Sequence, residues 1–145
     1  MTTTTVSDAA AAWQRVVLLH ARVESRLAAA LQRRHGIGLS EFRALGHLAA
    51  SPTGELRMQE LADKVGLNQS SVTRLVARLN AADFAYRDLC PDDRRGVYTV
   101  ITDTGRARHA EAGRTYEETL EAALQEAGQE DPRLAAALTA LGAPA

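Results

Sequence analysis

The sequence predicts a mostly α-helical fold with one small β-hairpin (α+β), on three observations. Alanine and leucine dominate, while aromatic residues make up only 4% of the chain, a balance that favours helices over sheets. Between Met58 and Phe84, two short amphipathic segments flank a single glycine, Gly66. Directly after them, Tyr86 to Cys90 and Val97 to Ile101 are β-type runs on either side of PDDRRG, a turn by composition. With 145 residues, 46% of them apolar, the chain suffices for one domain, residues 1–145, with a sizeable core.

Taken in order, Ser7 or Asp8 can cap a long first helix reaching about His35, where Gly36 closes it. Trp13, Val16, Val17, His20, Val23, Leu27 and Leu31 form a continuous stripe, widened by Leu18 and Leu19. A stripe that wide has two faces to bury, one on its own domain and one on something else. Ser40 is expected to cap a second helix, Glu41 to about Ala50, with Phe42, Leu45, Leu48 and Ala49 inward. Ser51 to Gly54 reads as a loop, and Leu56 as a token strand against the hairpin.

The segment MQELADKVGLNQSSVTRLVARLNAADF carries the functional signal. Met58, Leu61, Ala62 and Val65 recur at i, i+3, i+4 and i+7, so they face a core. Gly66 stands where a helix commonly ends left-handed, Leu67 plugs the turn, and Asn68 sits where an N-cap belongs. The next helix, Gln69 to Ala82, turns Val72, Leu75, Val76 and Leu79 inward and shows Ser70, Arg74, Ala77 and Ala81 outward, flanked by Thr73 and Arg78. Hydroxyls can donate to phosphates or base edges, and arginine can grip guanine with two parallel hydrogen bonds. The pair therefore reads as a helix-turn-helix whose DNA-contact candidates are Asn68, Gln69, Ser70, Ser71, Thr73, Arg74 and Arg78. Against this stands the plainer reading that the two helices only pack a core.

A hairpin following a recognition helix is a wing, which makes the expected fold a winged helix-turn-helix. Its tip presents Arg94 and Arg95, placed for an adjacent minor groove, with Asp93 able to hold Arg95 extended. Thr102 is positioned to cap a long helix to about Ala127, which Gly128 ends. Asp131 and Pro132 then start a short last helix carrying Leu134, Leu138 and Leu141. Long helices bracketing the lobe, 7–36 and 103–145 around 40–101, suggest interlocking terminal helices across a two-fold axis. A homodimer of this kind sets two recognition helices on successive major grooves, about 34 Å apart, over a palindromic double-stranded operator.

LRMQELADKVGLNQSSVTRLVARL followed by PDDRRGVYTVITDTGR resembles the MarR family of bacterial winged-helix regulators. The family's wing pattern falls here on Asp93, Arg95, Gly96, Ile101, Thr102 and Gly105, and the resemblance runs from about Ala9 to Leu141. Two departures stand out. Asp83-Phe84-Ala85 replaces the common Gly-Leu-Val, and Arg57-Met58 replaces the usual Ser or Thr start of the first motif helix. The resemblance implies a small aromatic or phenolic effector bound where the dimerisation helices meet the lobe. On this sequence that cleft is expected to use Trp13, Val16, His20, Phe42, Leu45 and His47, with simple core packing as the alternative for the same residues.

Other classes find little support. Formal net charge is −1, and the stretch from Arg57 to Arg95 holds seven basic and six acidic residues. Any DNA footprint must be local and doubled by a dimer. The single cysteine, Cys90, excludes an internal disulfide and fits a reducing cytoplasm. It reads as a small strand residue or, alternatively, as a redox switch. The four histidines show no metal-ligand spacing, and there is no nucleotide loop or nucleophile elbow, so neither cofactor nor catalysis is expected. Met1 to Val6 carries no positive charge, and no apolar run approaches the ~20 residues of a membrane span. The expected function is a cytoplasmic, sequence-specific transcriptional regulator, a homodimeric repressor relieved by a ligand. Its rival is a winged-helix protein-interaction module that binds no DNA.

Overall fold

The structure, a computed structural model, describes residues 7–89 and 96–143. Two long helices, α1 (Asp8–His35) and α5 (Asp103–Glu130), pack along one another and form a stalk. Ser7 caps α1 by accepting from the Ala10 N–H at 3.2 Å, and Gly36 ends it at φ +62°, where a side chain would be strained. The stalk's own core is small: Val23, Leu27 and Ala123, with Leu19, Leu120 and Leu124 against them. Outside it, Arg22 binds both carboxylate oxygens of Glu130 at 2.6 and 2.9 Å, and Arg26 binds Glu126 at 2.7 Å.

Between the stalk helices lies the lobe. It comprises α2 (Leu39–Ala50), β1 (Glu55–Arg57), α3 (Met58–Val65), α4 (Gln69–Ala81), β2 (Ala85–Leu89) and β3 (Val97–Ile101). The strands form an antiparallel sheet in the order β1-β3-β2, so the short β1 pairs with the second arm of the hairpin, as Leu56 led one to expect. Leu45, Leu48, Leu61, Leu75, Val76 and Leu79 are completely buried in one cluster with Phe42, Phe84 and Ile101. Each such side chain contributes on the order of 1.5–3 kcal/mol. Thr99, also completely buried, donates its hydroxyl proton to the Met58 sulfur at 3.0 Å and so leaves no orphaned polar group.

Two helix ends differ from expectation. α2 begins at Leu39, not after Ser40, because the Glu41 carboxylate reaches back to the Gly38 N–H at 3.2 Å and moves the cap two residues earlier. α5 does not stop at Gly128 but runs on to Glu130. Gly128 is where α6 (Pro132–Gly142) crosses it, and a Cβ there would lie 2.9 Å from the Ala135 Cβ. Asp131 is the true break, its carboxylate capping α6 through the Arg133 N–H at 3.1 Å.

The lobe joins α5 through a tight corner. Thr102 caps α5 by accepting from the Gly105 N–H at 3.0 Å and donates its own hydroxyl to the Asp83 carbonyl at 2.6 Å. Its backbone N–H bonds the Phe84 carbonyl at 3.0 Å. Asp83 itself holds φ +61°, a left-handed backbone in which aspartate is among the better-tolerated non-glycine residues.

Candidate nucleic-acid interface

α4 is held from behind by Val72, Leu75, Val76 and Leu79, all buried, so its other face must point outward. Gln69, Thr73, Arg74 and Ala77 are exposed on that face. Asn68 fixes the helix start, its carbonyl oxygen accepting from the Ser71 N–H at 2.9 Å and the Ser70 hydroxyl at 3.0 Å. The Thr73 hydroxyl donates to the Gln69 carbonyl at 2.8 Å. Ser70 and Thr73 therefore spend their protons within the helix and offer a ligand acceptor lone pairs until they rotate. Arg74 makes no ion pair among the described residues, whereas Arg78 is bound by Glu41 of α2, Nε to Oε1 at 3.1 Å. Two arginines predicted to act alike thus stand in different situations.

Beside α4, a groove of about 290 Å³ opens between Gln69 and Thr73 on one wall and the sheet on the other. Arg57 and Arg87 line it, and neither was singled out from the sequence as a DNA contact. Arg57 lies over the Tyr98 ring at 5.5 Å and donates from Nε to the Tyr98 hydroxyl at 3.1 Å. It is the N-cap residue of α3 but makes no capping hydrogen bond, so its side chain serves the sheet instead. Arg87 pairs across the sheet with the buried Thr99, which puts it on the face turned toward the helices. The alternation Ala85, Arg87, Leu89 was the available signal for it. The wing-tip candidates Asp93, Arg94 and Arg95, together with Cys90, lie outside the described residues.

The sequence pattern of the MarR family matches residues 35–96, from the end of α1 to the start of β3. The lobe thus carries the MarR-family sequence pattern on a winged-helix fold.

The HTH-type transcriptional regulator MhqR of Bacillus subtilis (strain 168) is 32% identical over 72 residues, a match spanning 50% of this chain and 48% of that relative's length. Sco3205, a MarR family transcriptional regulator from Streptomyces coelicolor solved in complex with DNA, superposes with a TM-score of 0.78 at 24% identity, covering 97% of this chain and 89% of that one. AbsC, another MarR family regulator from the same organism, gives 0.75 at 21%, covering 95% and 99%. At such identities the structural likeness establishes the fold, and it takes in the stalk helices as well as the lobe.

The six candidate effector residues do not share one cavity within a single chain. Phe42 and Leu45 are core residues; Phe42 is stacked between the rings of His109 and Tyr116, both centroids 4.8 Å away. Trp13 and Val16 sit on the outer face of α1, and His20 is exposed, its Nε2 3.6 Å from Glu24. His47 borders a separate groove with Glu55, Glu60 and Lys64, where burial and then the Lys64 charge lower its pKa. His109, missed in the sequence because its helix shows no clean apolar stripe, is also held below the ordinary histidine range by burial. Among the described residues no group of three or more His, Cys, Asp or Glu could hold a metal ion, and no helix is long and apolar enough to cross a membrane.

Proposed function

We propose that this chain is a sequence-specific DNA-binding regulator of transcription, acting in the cytoplasm as a homodimer and as a repressor relieved by a small aromatic effector. The observation that carries the reading is the outward face of α4. Gln69, Thr73 and Arg74 are exposed on a rigid helix, directly beside a groove lined by Arg57 and Arg87. That arrangement suits a helix in the major groove with the adjoining phosphate strand running past the two arginines. Sco3205, of the same fold, has been solved on DNA. The wing arginine Arg95 enters the neighbouring minor groove in this reading, steered by Asp93, while Arg94 meets phosphate.

Dimerisation is supported by what one chain leaves uncovered. Trp13 is 67% exposed and Leu18 61%, Leu141 on α6 is 82% exposed, and no residue of α6 is buried. Apolar area of this extent at both termini calls for a partner, and a second copy brings the two recognition helices into register with successive major grooves. We assign the effector to that interface, with the exposed Trp13, Val16 and His20 of α1 contributing to its lining.

Fluorescence anisotropy with the DNA flanking the chain's own gene, against a scrambled duplex of equal length, tests the reading. The expected result is a strong preference for the native duplex, an affinity that falls with salt, and release by an aromatic carboxylate. No binding to either duplex, at low salt as well as high, would favour a protein-interaction module instead.

A further inference from the structure

Three consecutive residues in the first turn of α2 grip three different helices. Glu41 binds Arg78 on α4. Phe42 is wedged between His109 and Tyr116 on α5. Arg43 closes a two-bond fork on Glu24 of α1, Nη1 to Oε2 at 2.7 Å and Nη2 to Oε1 at 2.5 Å. Glu41 is braced further through its second oxygen, which accepts from the Gly38 N–H.

These contacts differ in what they specify. A ring stack holds two surfaces together but tolerates sliding and rotation. A two-bond arginine–carboxylate fork does not, because both hydrogen bonds bend when the planes turn. Glu24 and Arg43 are each only about one-quarter to one-third exposed at the side chain, so solvent does not readily replace the pair. The fork therefore fixes the angle between α1 and α2, and Glu41 passes that angle to the recognition helix.

We propose that Glu24 and Arg43 are positioning residues that set the half-site spacing of the operator, by fixing the angle at which the stalk carries each recognition helix. This rests on the DNA-binding reading given above. The leverage is sufficient: with a lobe roughly 14 Å in radius, a turn of about 12° at the fork moves α4 by about 3 Å. That is close to the ~3.4 Å by which each base pair advances along the duplex axis. A dimer held at one angle discriminates operators that differ by a single base pair between half-sites, and a loosened dimer does not.

The experiment compares wild type, Arg43→Met, Arg43→Lys and the exchange Glu24→Arg/Arg43→Glu on duplexes with half-sites at the preferred spacing and one base pair shorter or longer. Wild type should lose about tenfold in affinity per base pair of error. Arg43→Met should flatten that profile to about threefold or less, Arg43→Lys should fall between, and the exchange should restore discrimination. Circular dichroism accompanies each variant, and the lysine and exchange forms keep the test open if Arg43→Met does not fold. A DNA-free measurement runs alongside. Nitroxides at Ser25→Cys on α1 and Ala77→Cys on α4, in a Cys90→Ser background diluted with unlabelled chain, report the stalk-to-lobe distance. Arg43→Met should broaden its distribution. Unchanged spacing profiles, or an unchanged distance distribution, would overturn the proposal. If wild type binds no DNA, the functional reading fails, and the distance distribution alone decides the role of the fork.

Discussion

Replacing Gly105 by alanine puts the corner between sheet and stalk to a numerical test. Gly105 lies in the first turn of α5, where a Cβ would stand 2.1 Å from the Phe84 carbonyl oxygen, 2.9 Å from its carbon and 3.1 Å from Ile101 Cγ1. Ordinary contacts of this kind are about 3.3–3.6 Å, so the backbones must part by more than 1 Å. They are not free to part. The Phe84 carbonyl accepts the Thr102 N–H at 3.0 Å, and Thr102 in turn caps Gly105. Relief costs about 1–3 kcal/mol of strain, and about 1 kcal/mol more if a hydrogen bond is lost. Against it stands the helix-propensity gain of alanine over glycine, up to about 1 kcal/mol. Strain wins, and the net loss is expected at about 1–3 kcal/mol. Gly113, mid-helix with nothing within 4 Å of a Cβ, is the control and should gain up to about 1 kcal/mol as alanine. Urea unfolding followed by circular dichroism at one fixed protein concentration should show the two midpoints moving in opposite directions. A Gly105→Ala chain as stable as wild type would refute the close approach. The same geometry supplies a physical reason for the glycine that follows the wing in the family's pattern.

Three further outcomes are expected. Arg74→Ala should lower affinity for the native duplex by about 1–3 kcal/mol and relax base preference at one position per half-site; uniform weakening on all sequences would make Arg74 a phosphate contact. Ending the chain before Pro132 removes α6 and should leave a monomer or aggregate by sedimentation, whereas a stable dimer would assign the whole interface to α1. Acidification should destabilise the fold through His109. Its folded-state pKa lies below the unfolded value, so the stability it contributes is complete above about pH 6.5 and is lost as pH falls toward the folded pKa. His109→Phe keeps the stack on Phe42 and should lose less stability between pH 7.5 and 5.5 than wild type in urea titrations; an equal loss would place the titration elsewhere, for example at His47, which is shifted the same way.

The helices, the turn at Gly66 and the hairpin were legible because periodicity and cap chemistry act over three or four residues. Asn68, Thr102 and Asp131 all cap where the sequence placed them. What escaped depends on distant partners. Glu41 displaces Ser40 as the determinant of the α2 start through one carboxylate oxygen on the Gly38 N–H, while its other oxygen holds Arg78, 37 positions away. Gly128 reads as a stop in the sequence, yet α6 folds back and uses the missing side chain as clearance. For the DNA face, local pattern identified the outward residues of α4 but not Arg57 or Arg87. The inward place of Arg87 follows from strand register, which pairs it with the buried Thr99 and which helix periodicity does not encode. The effector candidates were chosen by helix face, and a face does not tell whether two helices meet there.

Asp83 bears on how family patterns should be compared. It stands where glycine is usual and therefore counts as a mismatch, yet its backbone adopts the left-handed conformation a glycine would supply. What the corner needs is a dihedral angle and a carbonyl aimed at the Thr102 hydroxyl, and both survive the exchange of residue. Aspartate and glycine are both compatible with that torsion, so the exchange of letter leaves the corner's geometry attainable. At such a site an identity score registers a change of letter, whereas the corner depends on the torsion that Asp83 holds.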